Sequence, residues 1–195
     1  TAHNDLAKEY LLNAKEGVNR MIRIVRSLLE FSRQTCHAKM NYVDARHAIE
    51  EALELVAMQY PMVNVTIEKH FADDIPPVID YSLQNVFSNL ITNALDAMPN
   101  GGVLSIATRR AEHDEYSAII EVRDTGVGIK EDVIEHIFDP FFTTKARNNG
   151  TGLGLAICHE IVKRSNGSIG VKSEVGKGTC FTIQLPCKQI HQGRC

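Results

Sequence analysis

The stretch that decides the fold is Gly150-Thr151-Gly152-Leu153-Gly154-Leu155 (GTGLGL), in which three alternate glycines lead into an apolar, helix-compatible segment. A glycine loop before a helix N-terminus commonly binds phosphate, because its backbone N–H groups point at the anion. This loop does not end in Gly-Lys-Ser/Thr, as a P-loop does, and no strand directly precedes it, as in a dinucleotide-binding fold. The stretch therefore predicts a phosphate site of another kind.

The composition indicates a globular domain without a nucleic-acid-binding surface. The 195 residues are 44% hydrophobic and 23% charged, with a net charge of −3 and no dense Lys/Arg run, so nucleic acid is not an expected partner. No apolar run approaches the roughly 20 residues of a membrane helix. Five cysteines without a C-x-x-C pair indicate free thiols in a reducing compartment. We therefore expect a cytoplasmic chain without membrane contact. Because residue 1 is threonine, we expect either a processed product or a piece of a longer protein, and membrane anchoring of that parent is left open.

Residues 6–33 carry an apolar seam with the heptad period of a helical bundle. The seam consists of Ala7, Leu11, Ala14, Val18, Met21, Val25 and Leu28. A helix with this stripe needs partners, so we predict that it forms a self-associating bundle and a homodimer in the parent protein. The alternative is a helix folded back on the core of its own domain.

Beyond a polar linker at residues 34–41, strand and helix patterns are mixed. Helices are predicted at residues 45–59, 82–98, 131–137 and 154–165, and strands at 42–43, 63–68, 103–109, 118–123, 168–174 and 179–185. The last four strands form two hairpins, the first around a polar tip at residues 112–115. We predict an α+β fold in which helices cover one face of a mixed sheet. The expected units are 1–33, 34–41, 42–187 and a tail at 188–195.

The predicted helix at residues 82–98 carries polar side chains on one face. Asn89, Asn93 and Asp96 are four and three residues apart, which places them together. An amide oxygen suits a Mg²⁺ ion that phosphates and water already coordinate. Taken alone, the asparagines are better explained as exposed surface residues of a helix.

Asp124-Thr125-Gly126-Val127-Gly128-Ile129 directly follows a predicted strand. Glycines allow close backbone approach, and a carboxylate can accept a hydrogen bond from an exocyclic amine such as adenine N6. Taken alone, D-x-G-x-G is common in turns, and an ordinary turn is then the better explanation.

The segment Phe138-Asp139-Pro140-Phe141-Phe142 leads to Lys145 between the two glycine loops. Its phenylalanines are either ordinary core residues or the hydrophobic anchor of a lid, and Lys145 could then reach a phosphate.

In order and spacing, these segments and Gly176-Lys177-Gly178-Thr179 resemble the N, G1, F and G2 boxes of the ATP-binding domain shared by sensor histidine kinases, DNA gyrase and mismatch-repair ATPases. The resemblance covers about residues 42–186. The preceding helix, ending in Leu28-Leu29-Glu30-Phe31-Ser32-Arg33, resembles the second helix of the histidine-kinase dimerisation hairpin. Together they resemble a two-component sensor histidine kinase, which implies a two-layer sandwich of the Bergerat type, ATP and Mg²⁺ as cofactors, and a response-regulator receiver domain as partner.

The resemblance also implies roles for individual residues. Asn93 would coordinate Mg²⁺, with Asn89 beside the phosphates as a second catalytic residue. Asp124 would bind adenine N6, and Thr179 would lie near the adenine. The nucleotide-binding set it implies is Asn93, Asp96, Asp124, Gly126, Gly128, Ile129, Phe138, Lys145, Gly150, Thr151, Gly152, Leu153, Gly154 and Thr179.

Asn89 bears on the type of reaction. ATP-hydrolysing relatives carry a glutamate here as general base, and asparagine cannot accept that proton. We therefore expect phosphoryl transfer to a histidine. No His-Glu/Asp-x-x-x-Pro acceptor pattern occurs, and His3 lies far from the expected acceptor position, so we do not expect the chain to phosphorylate itself. The alternatives are a degenerate nucleotide-binding signalling module and a serine kinase of the anti-sigma-factor type.

Overall fold

The computed structural model describes residues 41–60, 62–111, 114–145 and 150–188, together with nine helical residues between positions 10 and 25. The side chains of residues 114–116 lie outside this description. Within these ranges the chain forms seven strands and four helices. In chain order they are β1 (Asn41–Val43), α1 (Ala45–Gln59), β2 (Val65–Phe71), β3 (Val78–Asp80), α2 (Leu83–Ala97), β4 (Gly102–Ala111), β5 (Asp114–Asp124), α3 (Glu131–Ile134), α4 (Gly154–Arg164), β6 (Ser168–Glu174) and β7 (Gly178–Pro186).

The strands form a five-stranded mixed sheet and a small two-stranded one. The large sheet has the order β2-β4-β5-β7-β6, and the small sheet pairs β1 with β3. β2 and β4 are parallel, so the chain crosses over through α2 between them. β4 with β5 and β6 with β7 are antiparallel neighbours. The two predicted hairpins and the mixed sheet are confirmed.

Three helices cover one face of the large sheet. α2 packs against both α1 and α4, and a single hydrophobic cluster joins these helices to the strands. Phe87 and Ile91 of α2 are buried with Ile106 of β4, Ile120 of β5 and Ile183 of β7. Burying a side chain of this size stabilises a fold by about 1.5–3 kcal/mol. The predicted α+β class, with helices on one face, is confirmed, and the rigid core fixes where the polar face of α2 lies.

An aspartate precedes both long helices and accepts hydrogen bonds from N–H groups at their start. The Asp44 side chain accepts a hydrogen bond from the Arg46 N–H at 2.8 Å at the start of α1. Asp80 Oδ1 accepts from the N–H groups of Ser82 and Leu83, each at 2.8 Å, at the start of α2. These bonds satisfy N–H groups that have no partner within a helix. α2 ends before Pro99, which cannot donate the next helical hydrogen bond.

Four elements differ clearly from the sequence prediction. β2 spans Val65–Phe71 and not residues 63–68, because residues 63 and 64 form a turn before the strand begins. β5 begins at Asp114, so Asp114 and Glu115 belong to the strand and not to the polar tip, after a register irregularity between Arg110 and Ala111. α3 ends at Ile134, and i→i+3 turns continue the backbone to residue 139. β3 was not predicted, because three residues after two prolines show too little alternation; its partner β1 supplies the pairing.

The predicted helix at residues 6–33 lies mostly outside the described residues. The nine described positions between 10 and 25 have helical backbone. Of the seam, Leu11, Val18, Met21 and Val25 are 70%, 50%, 59% and 52% exposed. The bundle and the homodimer stay predictions.

Candidate nucleotide-binding site

The polar face of α2 contacts the end of the phenylalanine segment. Lys145 Nζ donates to Asn93 Oδ1 at 2.9 Å and forms an ion pair with Asp96 Oδ2 at 2.6 Å. Sequence patterns had placed Asn93 and Asp96 on one face, but not the lysine beside them. Because the Lys145 ammonium contacts Asn93 Oδ1, this oxygen faces a position where a cation can bind.

Asn89 lies one turn earlier and is half-buried between α2 and α4. Burial raises the pKa of the neighbouring Cys158 thiol of α4 to about 12, a shift that the Asn89 side chain partly opposes. The Cys158 Sγ also lies 3.7 Å from the Val86 carbonyl oxygen. Asn89 therefore lies beside a neutral thiol of α4, which the sequence did not predict.

The glycine loop packs on the phenylalanine segment. The Phe141 N–H donates to the Gly152 carbonyl at 2.8 Å. Gly152 has a φ of +67°, and a Cβ there would collide with the Phe141 backbone. No other residue fits this position without moving the loop. Leu153 is buried next to it, and the loop continues into α4 at Gly154.

Side chains around the glycine loop complete this part of the site. The Thr151 hydroxyl accepts from the Leu153 N–H at 3.3 Å. Phe138 lies partly buried with its ring 5.5 Å from the His159 ring of α4. Phe141 is 63% exposed and has a φ of +69°. The phenylalanine segment therefore contributes one core contact and one exposed, strained residue.

Asp124, at the end of β5, is 5% exposed. Its Oδ1 accepts from the N–H groups of Gly126 at 2.8 Å and Thr179 at 3.2 Å. Burial raises the pKa of Asp124 above its ordinary value, and the two backbone hydrogen bonds partly oppose the shift. In the described part of the chain, no recorded hydrogen bond uses Oδ2, so this oxygen can accept a donor from a ligand.

The loop after Asp124 is held between α2 and the β6–β7 hairpin. The Val127 N–H donates to the Ala97 carbonyl at 3.0 Å, at the C-terminal end of α2. A Cβ at Gly126 would lie 2.6 Å from the same oxygen. Gly128 has a φ of +72°, and a Cβ there would collide with the Glu174 backbone. Both glycines are required by close backbone approach.

Ser173 of β6 joins this loop to the hairpin, and sequence analysis missed it. Its Oγ accepts from the Ile129 N–H at 2.8 Å and lies 2.9 Å from both the Gly178 carbonyl oxygen and the Thr179 Oγ1. A pattern could have identified it. Ser173 shares a strand face with Ile169 and Val171, which pack against the core, and a hydroxyl on such a face needs partners.

The structure therefore brings the sequence-derived residues other than Phe138, which contacts His159 of α4, into two linked clusters. One comprises Asn89, Asn93, Asp96, Lys145 and the loop 150–154. The other comprises Asp124, Gly126, Gly128, Ile129 and Thr179. Among the described residues, no group of three His, Cys, Asp or Glu side chains could hold a metal ion by itself.

The family model described as "Histidine kinase-, DNA gyrase B-, and HSP90-like ATPase" matches residues 80–189, which include both clusters. The chain belongs to this family. It is 39% identical over 193 residues to the sensor kinase CckA of Brucella abortus (strain 2308), covering 90% of this chain and 20% of that protein. It is also 39% identical over 176 residues to the sensor histidine kinase ZraS of Escherichia coli (strain K12), covering 89% and 36%. The chain thus spans between a fifth and about a third of the length of these relatives.

A solved structure has the same fold. It is the histidine kinase ThkA in complex with the response regulator protein TrrA, with a TM-score of 0.71, 24% identity, and coverage of 93% of this chain and 52% of that one. The resemblance to the ATP-binding domain of sensor histidine kinases is confirmed. None of the helices in the described ranges is long and apolar enough to span a bilayer.

Proposed function

We propose that this chain is the ATP-binding part of a sensor histidine kinase that transfers the γ-phosphoryl group of ATP to a histidine, for relay to a response-regulator aspartate. The proposal rests on the observation that both clusters occur together on the fold of this family. A buried carboxylate with a free oxygen suits an adenine amine, and Asn93 with Lys145 suits phosphates. The relatives are sensor kinases, and the solved neighbour is bound to a response regulator.

Transfer is favoured over hydrolysis by the chemistry at position 89. A general base for water must accept a proton, and the Asn89 amide does not, because its nitrogen lone pair is delocalised into the carbonyl. A neutral imidazole offers a lone pair without a base. The residues of this chain then act by holding and orienting the nucleotide, which is the main protein contribution in phosphoryl transfer.

The residues fit a magnesium ion bound together with ATP. Asn93 Oδ1 would be the protein ligand, because the Lys145 ammonium already occupies that position as a cation. When bound, Mg²⁺ neutralises developing phosphate charge. Lys145 would then leave Asn93 and donate to the phosphates, while Asp96 keeps the site attractive to cations.

Lys145→Met is expected to lower ATP affinity about tenfold in EDTA and clearly less with Mg²⁺, because the metal then supplies the positive charge. Titration calorimetry under both conditions measures the two effects. Lys177→Met is the matched control, since Lys177 forms an exposed ion pair with Glu174 at 2.7 Å outside the clusters. Equal losses with and without Mg²⁺ would contradict the exchange of cations at Asn93.

The proposed activity is tested by supplying the acceptor. The dimerisation hairpin of the parent protein is added as a separate polypeptide, with γ-labelled ATP and this chain. We expect acid-labile, base-stable label on the hairpin, and none when its histidine is changed to glutamine. Intact ATP binding without label would refute the kinase proposal and support a nucleotide-binding signalling module. Label on serine would support the anti-sigma-factor type of kinase.

A further inference from the structure

The Ser173 hydroxyl lies where three segments of the proposed base pocket meet. It contacts the loop after Asp124 through the Ile129 N–H, and the β6–β7 hairpin through the Gly178 carbonyl and the Thr179 hydroxyl, all within 2.9 Å. It is half-buried, whereas Thr179 is 5% exposed. Ser173 does not belong to either cluster that sequence patterns identified.

The hydrogen bonds of Ser173 restrict those of Thr179. A hydroxyl has one proton and two acceptor lone pairs, and the Ile129 N–H uses one lone pair of Ser173. The Ser173 proton goes to the Gly178 carbonyl, which can only accept, so Thr179 donates to the second lone pair of Ser173 and offers only lone pairs to a ligand. Without the Ser173 hydroxyl, the Thr179 proton could turn toward a ligand. Ser173 therefore fixes the Thr179 hydroxyl as an acceptor.

We propose that Ser173 is a positioning residue for recognition of the nucleobase, because it directs the Thr179 hydroxyl beside Asp124. The free oxygen of Asp124 and the Thr179 hydroxyl would then both be acceptors, which suits the N6 amine of adenine with its two protons. Guanine presents an acceptor, O6, in place of that amine. Ser173 accordingly contributes to the preference for adenine over guanine without touching the base. This inference rests on the proposed ATP site.

A double-mutant cycle tests the inference. Titration calorimetry with ATP is run on the wild type, Ser173→Ala, Thr179→Val and the double variant. We expect each single change to lower ATP affinity about tenfold and the double change to lower it no further, since Ser173 acts through Thr179. We also expect the ratio of ATP to GTP affinity to fall in all three, and Ser173→Thr to restore it within about threefold of wild type, a rescue of one hydrogen bond.

Controls separate this inference from the proposed function. Ser168→Ala, at the exposed start of the same strand, should leave both affinities unchanged. Additive losses in the double variant, or an unchanged ATP-to-GTP ratio, would overturn the role of Ser173 while leaving the ATP site in place. If instead Asp124→Asn left ATP affinity unchanged, the site itself would be wrong. Should Ser173→Ala unfold, Ser173→Cys carries the same expectations, because its thiol is only a weak donor and acceptor.

Discussion

Asp124→Asn is expected to lower ATP affinity about 100-fold and to raise GTP affinity relative to ATP. The asparagine oxygen can keep the hydrogen bonds from the Gly126 and Thr179 N–H groups, which turns the NH₂ group toward the ligand. An adenine amine then meets a donor in place of an acceptor, and loss of a hydrogen bond to a charged group together with an unpaired donor amounts to about 3 kcal/mol. The guanine O6 is an acceptor and suits the new NH₂ group. Titration calorimetry with ATP and with GTP measures this change in nucleotide preference.

The fold should tolerate this change. Burial raises the pKa of Asp124, so the folded state disfavours its charge at neutral pH, and removing the charge should not lower the melting temperature. For the same reason, wild-type ATP affinity should weaken on acidification at a higher pH than an ordinary aspartate would give, and the variant should lack this step. A lowered melting temperature with unchanged nucleotide preference would show that Asp124 is only structural.

Gly152→Ala is expected to lower ATP affinity by tenfold or more. The alanine must adopt a φ of +67°, which is unfavourable by about 1–2 kcal/mol for an L-residue, and its Cβ collides with the Phe141 backbone. The loop must therefore move away from the phenylalanine segment, which displaces the backbone N–H groups that we assign to the phosphates. Titration with ATP and with adenosine separates a phosphate effect, expected for ATP only, from general damage.

Two glycines offer matched controls for this prediction. Gly176 has a φ of +81° with nothing within 4 Å of its Cβ position, and Gly170 has neither a positive φ in the left-handed region nor a close neighbour. Gly176→Ala measures the effect of a positive φ on an alanine that meets no steric collision. Gly170→Ala measures the effect of a glycine-to-alanine change that has neither. Both should leave ATP affinity near the wild-type value. If Gly176→Ala lowered ATP affinity as much as Gly152→Ala, the contact of Gly152 with Phe141 would be irrelevant to binding.

Much of the fold could be predicted from local patterns. The alternation in β4 through β7 and the helical period of α2 depend on neighbours within a few residues, so the sequence specified both hairpins and the polar face with Asn89, Asn93 and Asp96. The short strand β3 could not be predicted, because its pairing with the distant strand β1 decides it. The early start of β5 depends on the register shift between Arg110 and Ala111, which pairs Ala111 with Asp114. The proximity of Asn89 and Cys158 could not be predicted either, because no pattern in one segment points to the other.

The sequence by itself determined the family resemblance, the mixed α+β class and the positions where only glycine fits. The tertiary structure alone decided which distant groups share a site. Lys145 meets Asn93 across 52 positions, Thr179 meets Asp124 across 55, and Ser173 meets Ile129 across 44. Strand register and helix packing set these distances to within a hydrogen bond, and both result from burial of the whole core rather than from any one segment.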